Sequence, residues 1–404
     1  MAPKWIETTV GDQVTLQRGI DITRAQQKPG TVPVVSSGGI ASYHDTVAIN
    51  GPGVVLGRKG VVGSVWYLDQ DYWPHDTTLY VKDFKGNDPS FVYYFFKWKT
   101  ASLAALDVGS ANPTLNRNHV HPMKVRWPEL TLQIVISEIL KTLDDKIELN
   151  RKMNETLEQM ARAMFKSWFI DFDPVKAKRD GKKPFGMDDA TAALFPDSFE
   201  PSELGEIPRG WKVRHLGEYI DTISETFKFA PCQQVVFLNT SDILDGEILV
   251  STYSESRTLP GQAKKRIRYG DILFSEIRPA NKRYALIDFD GDDFVVSTKL
   301  MVLRSKNIDP VFPYFYLTTP DVTGLLQHLA ESRSGTFPQI TFDQVKPLKV
   351  CLPENAILDR FIEILKGNYG MRSHNTKESK TLAQTRDLLL PRLLSGELQV
   401  KGLP

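Results

Sequence analysis

Short apolar runs, broken by turns, fill the first part of the chain. Residues 31–35, 54–56, 61–68 and 78–81 are rich in Val, Ile, Leu and aromatics and are separated by Gly, Pro and Asn, the pattern of strands joined by turns. Residues 234–238, 272–274, 284–289 and 299–303 show it again. A helical stretch is predicted after each set, over 91–105 and 313–330. The period then changes. Residues 131–169 contain no Gly or Pro, and Ile136, Leu140, Leu143, Ile147, Asn150, Asn154, Leu157, Ala161 and Met164 recur at alternating steps of four and three, the stripe of a coiled coil. A helix of that span is roughly 58 Å long, more than one small domain can cover, so it requires a partner helix. Residues 355–394 supply one, with Phe361, Ile364, Asn368, Asn375, Leu382 and Leu389 on its seam. Gly367 and Gly370 each weaken it by about 1 kcal/mol relative to Ala. Pro391 is expected to kink the last turn, and Gly396 to end the helix. Asn150, Asn154 and Asn375, polar within the stripe, are expected to fix the register between the two helices.

The two halves are copies of one unit. Trp5, Gly11 and Asp12 recur at one offset as Trp211, Gly217 and Glu218. Thr77, Leu79, Val81, Phe91, Tyr93 and Phe95 recur at a larger one as Thr298, Leu300, Val302, Phe312, Tyr314 and Tyr316. Pro113, Val120, Pro122, Lys124, Val125, Pro128 and Glu129 match Pro338, Val345, Pro347, Lys349, Val350, Pro353 and Glu354 at a third. That last offset persists through Glu138-Ile139-Leu140-Lys141 and Glu363-Ile364-Leu365-Lys366, and on to Leu157 and Leu382. A drifting offset marks loop insertions, and a constant one marks a rigid element. Two copies are too few for a solenoid. The expected fold is therefore α+β, a pseudo-two-fold internal repeat. Two similar, mostly β domains lie at 1–127 and 207–352, with long helices at 128–170 and 353–398 forming an antiparallel coiled coil. Residues 171–206, rich in Pro, Gly, Lys and Asp, are expected to be a linker with little core. The aromatic sets around Phe91 and Phe312 are expected in the cores.

Composition narrows the class. With 404 residues, 41% hydrophobic and 25% charged, the chain suits two or three soluble domains. No run is apolar enough for a membrane span, and no signal pattern opens the chain, so a cytoplasmic location is expected. Cys232 and Cys351 make neither a disulfide framework nor a metal cluster. The net charge of +1 gives no overall basic bias, but Lys264, Lys265, Arg266 and Arg268 cluster, as do Arg278, Lys282 and Arg283. Catalytic motifs are missing. Gly57-Arg58-Lys59-Gly60 lacks the ending of a P-loop, and Asn87-Asp88-Pro89-Ser90 lacks the aromatic of an adenine-methylation motif. Asp271 with Glu276-x-Arg278 is an incomplete nuclease set. Neither a cofactor nor a metal is expected.

Three segments carry a family resemblance. Ala163-Met164-Phe165-Lys166-Ser167-Trp168-Phe169-Ile170-Asp171-Phe172-Asp173-Pro174-Val175, Gly205-Glu206-Ile207-Pro208-Arg209-Gly210-Trp211 and Leu389-Leu390-Pro391-Arg392-Leu393-Leu394-Ser395-Gly396-Glu397-Leu398 resemble the conserved regions of HsdS-type specificity subunits of type I restriction-modification systems. Gly109-Ser110-Ala111-Asn112-Pro113 and Ser334-Gly335-Thr336-Phe337-Pro338 resemble the loop near the end of each target-recognition domain. The resemblance covers essentially the whole chain. It implies a non-catalytic DNA-recognition subunit that binds a bipartite double-stranded target and scaffolds two modification (methyltransferase) and two restriction (ATP-dependent translocase-nuclease) subunits. The assembled complex would be a site-specific adenine methyltransferase and ATP-dependent endonuclease. Two domains on a stiff helix pair suit half-sites about one helical turn apart, with coil length setting spacer length.

Arg and Lys read guanine, Asn and Gln read adenine, and Arg, Lys, Ser and Thr hold phosphates. On that basis the DNA-binding candidates of the first domain are Arg18, Ser36, Ser37, Arg58, Lys59, His75, Thr77, Ser110, Asn112, Asn116 and Arg117. Those of the second are Asn239, Thr240, Arg278, Asn281, Lys282, Arg283, Ser297, Thr298, Lys299, Arg333, Ser334, Thr336 and Gln339. Arg58 and Lys59 are expected to correspond to Arg278 and Lys282 in the repeat. The coil and subunit interface is expected to use Leu140, Leu143, Ile147, Asn150, Asn154, Leu157, Met164, Phe165, Trp168, Phe169, Leu365, Asn375, Leu382 and Leu389, with Phe165, Trp168 and Phe169 exposed in the absence of a partner.

Overall fold

Val54, Val55 and Leu56 are wholly buried, so this run shows no polar alternation: the strand Gly53–Gly57 is covered on both faces. The computed structural model describes residues 5–106, 114–231, 233–250, 252–333 and 338–400, with Arg333 by its backbone alone. The chain divides into two units, Met1–Arg151 with Lys377–Pro404, and Lys152–Thr376.

In the first unit, Gly53–Gly57 is an inner strand of a four-stranded antiparallel sheet. The order is Thr15–Arg18, Thr78–Asp83, Gly53–Gly57, Val65–Leu68. Beside it, Val32–Ser36 pairs in parallel with Trp73–Pro74 and antiparallel with Gly39–His44. Trp5–Thr9 pairs with Lys124–Pro128. The second unit repeats this plan. Its four-stranded antiparallel sheet runs Ile220–Ile223, Leu300–Ser305, Ile272–Ser275, Tyr284–Leu286. Gln234–Leu238 pairs in parallel with Phe294–Ser297, and Lys212–His215 pairs antiparallel with Lys349–Leu352. The helices Pro89–Trp98 and Val311–Leu317 bury Phe91 and Phe95 in one unit and Phe312 and Tyr314 in the other.

The repeated glycines have a packing reason. Gly11 N–H donates to His121 O at 2.9 Å, and Gly217 N–H to Lys346 O at 2.9 Å. A Cβ on Gly11 would lie 2.9 Å from His121 Cβ, and one on Gly217 would lie 2.8 Å from Lys346 Cβ. Only glycine permits that approach, which lets Val10 and Leu216 enter the two cores.

The first long helix spans Leu130–Phe165 and continues as a π-helical turn, Lys166–Ile170. The second spans Asn355–Leu394 and contains Pro391. Each unit holds one segment of each helix, and in each the segments run antiparallel. In the first unit Leu140 packs with Leu390, Leu393 and Leu394 in the core, with Leu389 against it. Leu143, Ile147 and Leu382 are half-buried. Arg386 Nη1 donates to Asp144 Oδ1 at 2.5 Å, and Asn150 Nδ2 to Glu378 Oε2 at 2.7 Å. Gly396, at φ 76°, closes the end of the second helix against Trp5.

In the second unit Asn375 Nδ2 donates to Asn154 Oδ1 at 2.9 Å. One turn on, Glu158 forms a buried polar node. Its Oε2 accepts from Arg372 Nη1 at 2.7 Å, and its Oε1 accepts from the Tyr314 hydroxyl at 3.1 Å and lies 2.9 Å from Arg162 Nη2. Leu157 is half-buried, and Leu365 is buried in the core with Met164 against it.

Two expectations are corrected here. Phe165, Trp168 and Phe169 are not an exposed seam. They are 1%, 6% and 3% exposed and pack within the same unit, with Phe165 5.3 Å from Phe312, Trp168 5.0 Å from Phe195 and Phe169 5.0 Å from Phe361 between ring centroids. Residues 171–206 are not a coreless linker either. They form the helices Asp173–Arg179 and Asp189–Leu194 and the strand Phe199–Ser202, which pairs with Gly205–Pro208. Val175 and Phe195 join the core, and Arg360 Nη2 ties Asp188 to the second helix at 3.0 Å.

Two stability tests follow from this packing. Gly217→Ala and Gly11→Ala are each expected to cost about 1–3 kcal/mol through overpacking, read as a lower Tm; an unchanged Tm would show that the loop yields freely. Glu158→Ala leaves Arg372 as an uncompensated buried cation and is expected to lose about 3–5 kcal/mol in urea unfolding. A loss below about 1 kcal/mol would mean that the pair behaves as a solvated one.

Candidate nucleic-acid interface

In the first unit the chain leaves Gly53–Gly57 and is held at once on both sides. The N–H groups of Arg58 and Lys59 donate to Thr77 O at 2.9 and 3.0 Å, and Arg58 O accepts from Leu115 N–H at 2.9 Å. The loop is thereby fixed at one end of the sheet. Arg18, at the last position of its strand, reaches the same place, where its Nη2 donates to Asp76 Oδ2 at 2.8 Å. Arg58 Nη1 donates to Asp76 O at 3.3 Å. His75 Nδ1 lies 3.2 Å from Asp76 Oδ1 and 3.0 Å from Thr77 Oγ1. Ser37 N–H donates to Thr77 Oγ1 at 3.4 Å. Arg18, Ser37, Arg58, Lys59 and His75 are thus gathered around Asp76 and Thr77.

Burial pushes the Asp76 carboxyl up, but the Arg18 hydrogen bond, with His75 and Lys59 nearby, outweighs it and holds the group below the usual carboxylate range. Burial and the neighbouring Arg18 cation pull Arg58 down, yet a guanidinium stays charged. The result is a cationic cluster holding two carboxylates, the anchored Asp76 and the exposed Asp21. Asp21, His75 and Asp76 place possible ligand atoms within 4.8 Å of one another. Asp76 Oδ2 already accepts from Arg18, however, and Arg58 bonds the Asp76 backbone oxygen, so with two guanidinium groups at hand the cluster suits an anion better than a cation. Ser36 closes its own turn, its Oγ donating to Gly39 O at 3.1 Å. Asn116 caps the helix Arg117–Val120, and Arg117 is exposed beside it. Ser110 and Asn112 lie outside the described residues.

The second unit builds its site at the equivalent end. Glu276 N–H donates to Lys299 O at 3.1 Å, and Glu276 O accepts from Ile340 N–H at 2.8 Å. Gln339 Nε2 donates to Glu276 Oε2 at 2.9 Å. Lys265 Nζ donates to Thr298 O at 3.2 Å and Leu300 O at 2.7 Å; burial, then the Lys299 charge, pulls it down. Arg278 and Lys282, both with positive φ, flank the turn Pro279–Asn281 that carries Asn281. Lys282 Nζ lies 3.3 Å from Asp245 Oδ2.

Other candidates are committed elsewhere. Arg283 Nη1 donates to Ser241 O and Ile243 O at 3.2 and 2.9 Å. Asn239 caps the turn Thr240–Asp242. Ser297 is 0% exposed, and its Oγ accepts from Lys299 N–H at 3.3 Å; it shapes the loop and cannot reach a ligand, which corrects its place among the candidates. Ser334, Thr336 and the Arg333 side chain lie outside the described residues.

The repeat correspondence also needs correcting. Leu115 and Ile340 are repeat partners, and their N–H groups donate to Arg58 O and Glu276 O. Lys59 bridges Thr114 as Ile277 bridges Gln339. Arg58 therefore stands where the second copy has Glu276, not Arg278. Asp76 and Glu276 were absent from the candidates because a search for readers selects cations and amides. The adjacency of an acid to His75, and of Glu276 to Arg278, was the only signal in the sequence.

A family model described as the type I restriction modification DNA specificity domain matches residues 4–159 and again 208–370. The HindI type I restriction enzyme specificity subunit of Haemophilus influenzae is 41% identical over 181 residues, 44% of this chain and 39% of that protein. The MjaIX type I restriction enzyme specificity subunit of Methanocaldococcus jannaschii is 26% identical over 78% of this chain and 70% of that one. Among solved structures, the type I restriction-modification system S subunit from M. genitalium shares the fold at a TM-score of 0.57 and 14% identity, covering 97% of this chain and 96% of that one. No helix among the described residues is long and apolar enough to cross a membrane.

Proposed function

The chain belongs to the specificity subunits of type I restriction-modification systems, and from that premise we propose that its two units each read one half of a bipartite double-stranded DNA target. One observation carries the reading. The same end of the same four-stranded sheet gathers cations and hydroxyls in both copies, joined in the second by the amide of Gln339, on loops held by backbone hydrogen bonds. Fixed loops place side chains against base edges without ordering them on binding, which lowers the cost of association.

The division of labour is chemical. Lys59, Arg117, Arg278 and Lys299 neutralise phosphates and set orientation; Arg18, Arg58 and Gln339 carry groups that discriminate bases. Ser37, Thr77 and Thr298 add hydroxyls at the same loops. Asn281 and Lys282 present a further amide and cation on the second unit's turn. Asn150, Asn154 and Asn375 hold the register of the helix pair. The chain itself supplies no catalytic group. Two modification subunits, which methylate adenine, and two ATP-dependent restriction subunits act on the DNA that it selects, in the cytoplasm.

The test uses the chain assembled with its modification subunits. From a pool of random-sequence duplexes it is expected to enrich two short blocks separated by a spacer of fixed length. Affinity is expected to fall linearly with salt on logarithmic axes, and Lys59→Ala to reduce that slope by about 1. Enrichment of a single block, or binding indifferent to salt, would contradict the reading.

A further inference from the structure

In each loop cluster a carboxylate ties down one long polar side chain. In the first unit Asp76 Oδ2 accepts from Arg18 Nη2 at 2.8 Å, while its Oδ1 lies 3.2 Å from His75 Nδ1. In the second, Glu276 Oε2 accepts from Gln339 Nε2 at 2.9 Å. Both carboxylates are anchored. His75 N–H donates to Val35 O at 2.8 Å just before Asp76, and the backbone of Glu276 is bonded on both sides, to Lys299 and Ile340. The Asp76 side chain is 18% exposed, whereas that of Arg18 is 56% exposed. The acid is set into the protein and the guanidinium stands out from it.

The chemistry left over differs between the two pairs. A carboxylate only accepts, so Gln339 must turn its Nε2 toward Glu276. One N–H is then committed, and the second N–H remains beside Oε1. A donor next to an acceptor is the complement of adenine, which offers N7 as acceptor and its N6 amino group as donor. Arg18 has donors only. With Nη2 on Asp76, the rest of its fork still presents N–H groups together, the complement of guanine O6 and N7. A side chain already held in one rotamer loses less entropy on binding.

We propose that Arg18 reads a guanine in the first half-site and Gln339 an adenine in the second, and that Asp76 and Glu276 are the positioning residues that hold them in reading geometry. This rests on the reading of both units as DNA readers. It separates Arg18 and Gln339 from Lys59 and Lys299 at the same loops, which bind phosphate whatever the sequence.

The full chain, co-expressed with its modification subunits, is tested by mapping methylated motifs by single-molecule sequencing. Arg18→Ala and Asp76→Asn are expected to relax one G·C position of the first half-site, the preference for guanine falling roughly 5- to 150-fold, with the second half-site unchanged. Gln339→Ala and Glu276→Gln are expected to relax one A·T position of the second half-site, with the first unchanged. The untouched half-site reports folding in each case. Arg18→Gln keeps a polar side chain but sets an acceptor beside its donor, so it moves that one position from guanine toward adenine if Arg18 reads a base, and lowers methylation of every motif alike if Arg18 only neutralises phosphate. The proposal is overturned if the motif stays intact while methylation falls uniformly, or if the relaxed position is of the other base class. A wild-type complex that methylates no bipartite motif defeats the reading of the units as DNA readers, and this proposal with it.

Discussion

A long amphipathic helix cannot bury its stripe on one small domain, and the rest of the structure follows from how that stripe is covered. The chain carries a second copy of the helix, and in each unit a segment of one lies antiparallel on a segment of the other. Apolar contacts secure the segments nearest the sheets: Leu140 with Leu390 and Leu393 in the first unit, Phe165 and Phe361 in the second. Between these, polar pairs occupy the seam. Asn150 meets Glu378 in the first unit; Asn154 meets Asn375 and Glu158 meets Arg372 in the second. Apolar side chains tolerate a slip along the seam far better than a buried amide or carboxylate does, because a slip would leave those groups without partners.

The same frame carries different chemistry at the matching ends of its two sheets. Gly11 and Gly217 admit the same close backbone approach, and both four-stranded sheets share one order. Yet the position held by Arg58 in one copy is held by Glu276 in the other. Buried strands and helix faces constrain each other through packing, so they change little between copies. Loops beyond the strand ends are anchored by backbone hydrogen bonds, and these are indifferent to the side chain. A recognition protein needs that separation, because it lets each half-site change without disturbing the fold.

Much of this frame was legible in the residues. The seam from Ile136 to Met164 declared a helix by period alone, and the second helix has the expected bounds, Asn355–Leu394, because Gly367 and Gly370 face open space and cost only propensity. The strand at 234–238 falls where its apolar run does. The segment 171–206 misled because its Pro and Gly sit in turns between short helices, while Val175 and Phe195 supply a core too sparse to show a period. Phe165, Trp168 and Phe169 resemble an unfilled interface in the residues because nothing in their period shows that Phe312, Phe195 and Phe361 cover them in the fold. The loop clusters were only half legible. Cations and amides stand out as possible readers, whereas Asp76 and Glu276 acquire meaning only when the fold places them against Arg18 and Gln339. The loop correspondence was lost where the repeat offset drifts, and only the hydrogen bonds of Leu115 and Ile340 restore it.

The most direct measurement exchanges one reader and leaves the frame in place. Residues 1–127 are replaced by the matching segment of another family member, and the methylation motif of the assembled complex is mapped by single-molecule sequencing. If each copy reads its own half-site on a common helix pair, one half of the bipartite motif changes, while the other half and the spacer persist. If both halves change together, or the motif stays as it was, the two copies are not independent readers.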